Sequence, residues 1–288
     1  MDWVNAVIQG ILVGGLYALF ATGLSLIFGV MRLVNIAHGD LIVLSSFLCL
    51  AIVSGLGLHP LIVLLIVVPV MFAIGYALQR GLLNFTLGPD ILPPLLVTFG
   101  LSIVIQNALL EIFSADSQKL PAGALQTASL QIVEGLAVGV FPLIVFACAI
   151  VVIAGLQFLF YRTALGSAFR ATSDDPDTAR LMGIDNRHIF ALAMAISLAV
   201  VALAGVFLGM RTSFDPSIGP GRLIYAFEAV IIGGLGSLWG TLAGGIILGV
   251  SQIVGGKLFP GADQLAGHVV FLILLVVRPR GLFPRAVD

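Results

Sequence analysis

Charged residues are so sparse in this chain that they mark out long apolar runs. Neither residues 3–31 nor residues 41–79 contain an Asp, Glu, Lys or Arg. A membrane helix needs about 20 predominantly apolar residues, and the runs are cut to roughly that length. Residues 4–30 form one predicted span. Residues 41–58 and 61–79 are two more, separated at His59-Pro60, where proline removes the amide donor that a continuous helix needs. Spans over 91–110, 140–161, 189–210, 223–235, 238–256 and 265–277 follow, the last of them short. The more polar stretch 113–139 reads as an external loop with little regular structure, and SFDPSIGPG (213–221) as a turn.

Composition fixes the solvent. Of 288 residues, 60% are hydrophobic and 9% charged, and the mean hydropathy is +1.17. Soluble domains carry about 25% charged residues, enough to clothe a surface; this chain cannot. In a bilayer only helices or a closed barrel satisfy the backbone. Barrel strands alternate apolar and polar positions, and these segments do not. The expected fold is therefore all-α: a single transmembrane domain over residues 1–288, with about eight or nine spans. A net charge of −1 gives no reason to expect nucleic acid as a partner. Cys49 and Cys148 lie in apolar runs and read as small buried hydrophobes. The start, MDWVNAVIQG, lacks the basic region of a cleaved signal peptide and is expected to stay as the first membrane segment.

Orientation follows from Lys and Arg, which favour the cytoplasmic side. Arg162, Arg170, Arg180 and Arg187 share one loop, and Arg278, Arg280 and Arg285 share the tail. Both are expected inside, with Arg80, while 113–139 faces outward with Lys119 as its basic residue. NIAHGD (35–40) reads either as a cytoplasmic turn or as a break inside the membrane, and the span count changes accordingly.

The cytoplasmic loop, 161–188, contains DDPDTARLMG (174–183), which has the signals of one short capped helix. Asp175 suits the N-cap and Pro176 the first helical position. Asp177 lies where the helix dipole favours negative charge, and Arg180 nearer the end. Gly183 can take the left-handed conformation that closes the helix. Asp185-Asn186 then supplies the start signal of the next span. A short rigid helix on the cytoplasmic face suits a membrane protein pushed by a motor; a solvated connector would carry the same capping signals.

Three motifs stand in order along the chain: Asn35-Ile-Ala-His-Gly39 after the first span; Gly166, Arg170-Ala171, Asp174, Ala179 and Gly183-Ile184 in the cytoplasmic loop; and GGLGSLWGTLAGG (233–245). Together they resemble the permease subunits of branched-chain amino acid ABC importers. The resemblance runs from about residue 5 to 283, with the motifs in the family's order. It implies a bacterial inner-membrane importer built from a heterodimer with a second, related permease, two cytoplasmic ATPases and an extracytoplasmic solute-binding protein. It also implies that the loop carrying Gly166, Arg170, Ala171, Asp174, Asp175, Pro176, Ala179 and Gly183 couples to an ATPase. Relatives carry Leu, Ile and Val, and also urea, short amides and other small polar solutes. The chain has no GxxxxGK[ST] loop, and Gly256-Lys257 is followed by leucine, so ATP and Mg belong to the partners and no cofactor is expected here. No HExxH or GxSxG sequence offers catalytic chemistry. A stand-alone secondary transporter or channel shares the bilayer architecture but leaves the capped loop without a use. A membrane-embedded enzyme would need paired carboxylates or a metal-ligand cluster.

Charges inside apolar spans cost about 2.5–3.5 kcal/mol each at a helix centre and so mark candidate path residues. Asp40 beside His38, and Glu228 within YAFEAVIIGG (225–234), stand out, with Asn35, Gln106 and Asn107 as neutral companions. Individually, Asp40 and His38 also fit a membrane boundary, and Glu228 an internal pair. The segment 35–40 is expected to interrupt the helices, with Gly39 permitting a backbone bend and Asn35 and His38 satisfying exposed backbone groups. Gly10, Gly14 and Gly15, and Gly240, Gly244, Gly245 and Gly249, are spaced for close helix packing. GGLGS (233–237) reads as a break that exposes half-helix ends.

Overall fold

The structure, a computed structural model, describes residues 2–88, 90–133 and 136–283; Arg285 lies outside the described residues. The helices run α1 (Asp2–Met31), α2 (His38–Leu56), α3 (Pro60–Gly81), α4 (Leu92–Phe113), α5 (Val140–Arg162), α6 (Ala164–Asp174), α7 (Pro176–Leu181), α8 (Asn186–Arg211), α9 (Gly219–Gly233), α10 (Leu238–Leu258) and α11 (Asp263–Val277). Among the described residues, seven of them (α1 to α5, α8 and α10) are long and apolar enough to cross a membrane. The shorter α9 and α11 have 15 residues each. They occupy the predicted segments 223–235 and 265–277, and the helical bundle matches the sequence expectation of an all-α membrane fold. The chain is a multi-pass helical membrane protein.

Its two ends are distinct. The Arg80 guanidinium meets the Asp185 carboxylate at 3.4 Å, and Asn84 Nδ2 donates to the Arg187 carbonyl, so α3 ends beside the 161–188 loop. At the opposite end Gln9 reaches the Ala137 carbonyl and Gln118 pairs with Phe214. The Lys/Arg-rich loop and residues 113–139 thus lie at opposite ends, as the charge pattern requires. The 113–139 loop corrects the sequence reading. It contains an antiparallel hairpin, β1 (Ser129–Val133) and β2 (Leu136–Gly139), in register at Ser129↔Gly139 and Gln131↔Ala137. Alternation in SLQIV supports a strand, but that short signal is hidden beside far longer apolar runs.

Helices α1 and α8 form the buried centre, and α10 packs along α1 through glycine. A Cβ on Gly10 would stand 2.5 Å from the Val250 Cα, and one on Gly14 the same distance from the Ile246 Cα. From the other side, Gly245 and Gly249 face the Gly14 and Gly10 carbonyls. A second glycine face on α10, Gly240 and Gly244, meets Gly233 and Ala229 of α9. Between helices in lipid, where burial of apolar surface drives little, such close backbone approach supplies the packing. Helices α3, α4 and α5 leave most of their surface outside the bundle, as apolar helices facing lipid or a partner do.

Two segments turn back. Helix α1, about 45 Å long, stops at Arg32, whose φ of +52° is left-handed. Residues 32–37 then return toward the middle, and His38 Nε2 bonds the Phe20 carbonyl at 2.8 Å, about 16 Å back along α1. The other return follows α8, and α9 begins at Gly219, inside the stretch read as a turn. The starts of α2 and α9 meet: a Cβ on Gly39 would fall 2.0 Å from the Gly219 carbonyl oxygen. Helix α9 then runs to the end that carries the 161–188 loop, where Gly233 packs on Gly240.

Candidate functional site

Three groups of the sequence-derived residues can be followed into the fold. The first is the break at 35–40, which lies within the bundle beside the middle of α1. Asn35 Oδ1 accepts from the Ala37 amide at 3.0 Å, closing a local turn, so Asn35 satisfies the opened backbone as expected. His38 Nε2 donates to the Phe20 carbonyl, which places its proton on that nitrogen and ties the first turn of α2 to α1. Gly39 has a different role from the bend read in sequence. It is helical, and it allows α9 to approach, because any side chain would strike Gly219.

Asp40 joins three helices. Its Oδ2 accepts from Ser102 at 2.5 Å and its Oδ1 from Gln106 Nε2 at 2.9 Å, both on α4. Oδ1 also lies against Gly219, where an added Cβ would be 2.0 Å away. A buried carboxylate needs hydrogen bonds and compensating charge. Here two donors and the positive ends of two helices, α2 and α9, provide them. No cation reaches Asp40 among the described residues. Sequence reading found Gln106 but missed the stripe to which it belongs. Thr98, Ser102 and Gln106 recur every four residues, one face of α4, and the Thr98 hydroxyl accepts from the Ile36 amide at 3.2 Å. Asn107 points elsewhere; it is exposed and bonds the Ile103 carbonyl of its own helix.

The second group surrounds Glu228. This residue is 4% exposed, and its Oε1 accepts from His268 Nδ1 of α11 at 2.5 Å. The internal pair considered from sequence is present. His268, its partner, was missed, although it is the one imidazole in the apolar run 265–277. Its ring stacks on Tyr225 at 6.2 Å between centroids, Tyr225 contacts Tyr17 at 5.2 Å, and the Tyr17 hydroxyl donates to Gln252 Oε1 at 2.5 Å. The result is a polar and aromatic strip linking α1, α9, α10 and α11. Asp40 and Glu228 lie on separate networks, one toward α4 and one toward α11.

The third group is the 161–188 loop. Asp175 caps α7: Oδ1 accepts from the amides of Asp177 at 3.0 Å and Thr178 at 3.1 Å, and Oδ2 from the Thr178 hydroxyl at 2.5 Å. The Thr178 hydroxyl, followed by these amides, holds the Asp175 carboxyl below the usual carboxylate range. Pro176 takes the first helical position, and its carbonyl accepts from Asn186 Nδ2 at 2.6 Å. Gly183, at φ +87°, ends the motif, with its amide bonded to the Arg180 carbonyl and the Ile184 amide to that of Ala179. Ala179 is buried beneath α7, while Leu181 and Met182 are 87% and 80% exposed.

Sequence reading saw one helix where there are two. Helix α6 precedes α7 and is bound to the bundle. Gly166 allows it to fold against the end of α5, where a Cβ would lie 2.2 Å from the Leu159 carbonyl oxygen. Arg170 turns back to bond the Phe160 carbonyl, an exposed acceptor of the last turn of α5, and lies 5.4 Å from the Tyr161 ring. Phe169 is buried against Phe160, and the Ser173 hydroxyl donates to the Gly29 carbonyl of α1 at 2.7 Å. The Ala171 carbonyl accepts from the Asp175 amide, which joins the two helices, and Ala171 and Asp174 remain exposed. These contacts connect α7 through α6 to α1 and α5. Behind α7 a groove of about 700 Å³ opens, lined by Arg80, Asn84, Arg180, Asp185, Arg187 and Phe190 among others.

Comparison with known proteins places the chain in a family. The chain is 31% identical over 98% of its length, and 96% of the relative, to "High-affinity branched-chain amino acid transport system permease protein BraD" of Pseudomonas aeruginosa. It is 26% identical, at the same coverage of both chains, to the permease protein LivH of that transport system in Salmonella typhimurium. A "Probable branched-chain amino acid transport permease protein LivH" of Methanocaldococcus jannaschii is 29% identical, over 92% of this chain and 86% of that one. A solved structure, "PsaBC from Streptococcus pneumoniae in complex with Fab", aligns with a TM-score of 0.49 and 18% identity, covering 96% of this chain and 91% of that one. Residues 6–278 match the family described as "Branched-chain amino acid transport system / permease component". With that match running through nearly every helix described above, the chain belongs to the family of branched-chain amino acid transport permeases.

Proposed function

We propose that this chain is a membrane-spanning permease subunit of an ABC importer in the bacterial inner membrane. It forms part of the path for branched-chain amino acids or related small polar solutes. Its partners are a second, homologous permease, two cytoplasmic ATPases that bind ATP and Mg, and an extracytoplasmic solute-binding protein. The observation that carries the reading is the α6–α7 elbow. A capped helix presents Leu181 and Met182 at the cytoplasmic end of an otherwise charged loop, while α6 behind it is pinned to α1 and α5. The adjacent apolar pair at the tip of a polar loop offers a contact for a protein partner, and the sequence lacks a nucleotide loop of its own. The membrane supplies the path and the partners supply the energy.

The test is co-purification in mild detergent after co-expression with the second permease and the ATPases. The wild-type chain should retain both ATPases. A double substitution, Leu181→Asp with Met182→Asp, should release the ATPases while the second permease stays bound, because both residues lie outside every span. Retention of the ATPases by the double variant would contradict docking through this tip. Failure of the wild-type chain to hold any ATPase would contradict the importer reading.

A further inference from the structure

A second opening lies at the end that carries the 161–188 loop, and the transport reading makes no use of it. It is a cavity of about 360 Å³ between α1, α5, α6 and the start of α10. Ser25 of α1, Gln157 and Tyr161 of α5, Arg170 of α6, and Leu238 and Trp239 of α10 line it, with further apolar side chains. Ser25 sits about 9 Å inside the end of α1, so the cavity reaches well below the loop.

Its charged and polar groups favour an anion. Arg170 bonds the Phe160 carbonyl and the Ser167 hydroxyl, both neutral, and has no carboxylate partner among the described residues. No Asp or Glu lines the cavity among those residues. Helix α10, 21 residues long, begins on it. The Ser237 hydroxyl accepts from the Gly240 amide at 3.1 Å, but the amides of Leu238 and Trp239, at the first two helical positions, have no acceptor among the described residues. The start of a helix carries about half a positive charge. Ser25 is 1% exposed, and its hydroxyl is likewise buried without a partner. A guanidinium, a helix N-terminus and an unpaired hydroxyl thus converge where no carboxylate opposes them.

The walls say what kind of anion. Helix α5 keeps most of its surface outside the bundle, with Phe158 exposed one turn from Tyr161. Tyr161 and Trp239 are themselves 60% and 45% exposed, which places two aromatic rings at the rim. Tyr and Trp gather where a membrane meets water. We propose that this cavity binds the phosphate of an anionic phospholipid, such as phosphatidylglycerol, from the leaflet at this end. Arg170 and the free amides of α10 take the phosphate, Tyr161 and Trp239 flank the glycerol, and the acyl chains lie along α5. Basic pockets between membrane helices recognise lipid head groups in this manner. A soluble anion meets the same donors but gains nothing from the apolar rim. Since Arg170 also ties α6 to α5, the bound lipid braces the elbow behind α7.

The chain has two tryptophans, Trp3 and Trp239, so Trp3→Phe leaves Trp239 as a reporter on the proposed site. The full-length Trp3→Phe chain is reconstituted in phosphatidylcholine vesicles that carry a minor fraction of brominated phosphatidylglycerol or, in parallel, of brominated phosphatidylcholine. Quenching of Trp239 should report association about tenfold stronger for phosphatidylglycerol, the effect of one charge-assisted hydrogen bond. Arg170→Gln should remove most of that preference and Arg170→Lys should keep most of it. Gln157→Glu places a carboxylate in the cavity, leaves the α6 contacts in place and should abolish the preference. Inorganic phosphate and glycerol 3-phosphate should not relieve the quenching. Equal quenching by the two lipids would mean ordinary bilayer contact, and quenching by neither would leave the cavity to a protein segment. Relief by inorganic phosphate would assign it to a soluble anion. Any of these three results, or an undiminished preference in Gln157→Glu, would overturn the proposal.

Discussion

Gly183 offers a graded test of the proposed coupling role of α7. Its φ of +87° is a left-handed conformation, and a Cβ built there meets nothing within 4 Å. Any penalty for a side chain is therefore one of backbone conformation alone. Left-handed backbone costs an L-residue about 1–2 kcal/mol, with asparagine the most tolerant and β-branched residues the least. Helix α7 has six residues and cannot nucleate by itself; its form depends on the Asp175 cap at one end and the Gly183 turn at the other. A cost of about 1.4 kcal/mol reduces the closed conformation about tenfold relative to the open one. The series Gly183→Asn, Gly183→Ala, Gly183→Val should lower transport in that order, with asparagine near wild type and valine losing up to about tenfold. Uptake and substrate-stimulated ATP hydrolysis in the assembled, reconstituted complex are the assay, and membrane levels of the chain should not change. Equal transport by all three variants, or alanine and valine outperforming asparagine, would refute the capped-helix reasoning.

Other perturbations read different parts of the fold. In intact cells, Ser117→Cys should react with a membrane-impermeant thiol reagent and Leu181→Cys should not; the reverse pattern would invert the topology. Asp40→Asn keeps the shape and some hydrogen bonding, so it should assemble with a modest loss of transport. Asp40→Ala strands Ser102 and Gln106 and should cost about 1.5–3 kcal/mol, seen as a lower unfolding temperature of the purified complex; equal unfolding temperatures would remove Asp40 from its structural role. Gly245→Ala puts a methyl 2.6 Å from the Gly14 carbonyl oxygen, and should cost about 1–3 kcal/mol by forcing α1 and α10 apart. Wild-type thermal stability in that variant would contradict the glycine-packed contact.

The parts of this protein legible in its sequence are those set by local chemistry. Apolar run length located the spans, and the Asp175-Pro176 to Gly183 signals located α7, because capping and left-handed turns depend on a few adjacent residues. Long-range pairing was not legible. Gly39 looked like a hinge because glycine permits bending, but the bundle uses it for contact with Gly219, 180 positions later in the chain. Ser102 and His268 stayed hidden as partners for Asp40 and Glu228, since nothing local states which helix will face which. Helix α6 was overlooked because its signals, Thr163 at the cap and Gly166 at the elbow, directly continue the α5 span. The Thr98–Ser102–Gln106 stripe was available in the sequence at helical spacing, and would have identified the face of α4 that meets the break.

The central claim is that this chain moves solute only when partner ATPases drive it. The direct measurement is accumulation of radiolabelled leucine in proteoliposomes containing this chain, the second permease and the ATPases, with ATP enclosed and binding protein outside. The matched control carries ATPases inactivated at the nucleotide-loop lysine. Accumulation should require active ATPases and binding protein together, and should be absent from vesicles holding this chain alone. Equal uptake with inactive ATPases, or gradient-driven uptake by the chain alone, would contradict the account.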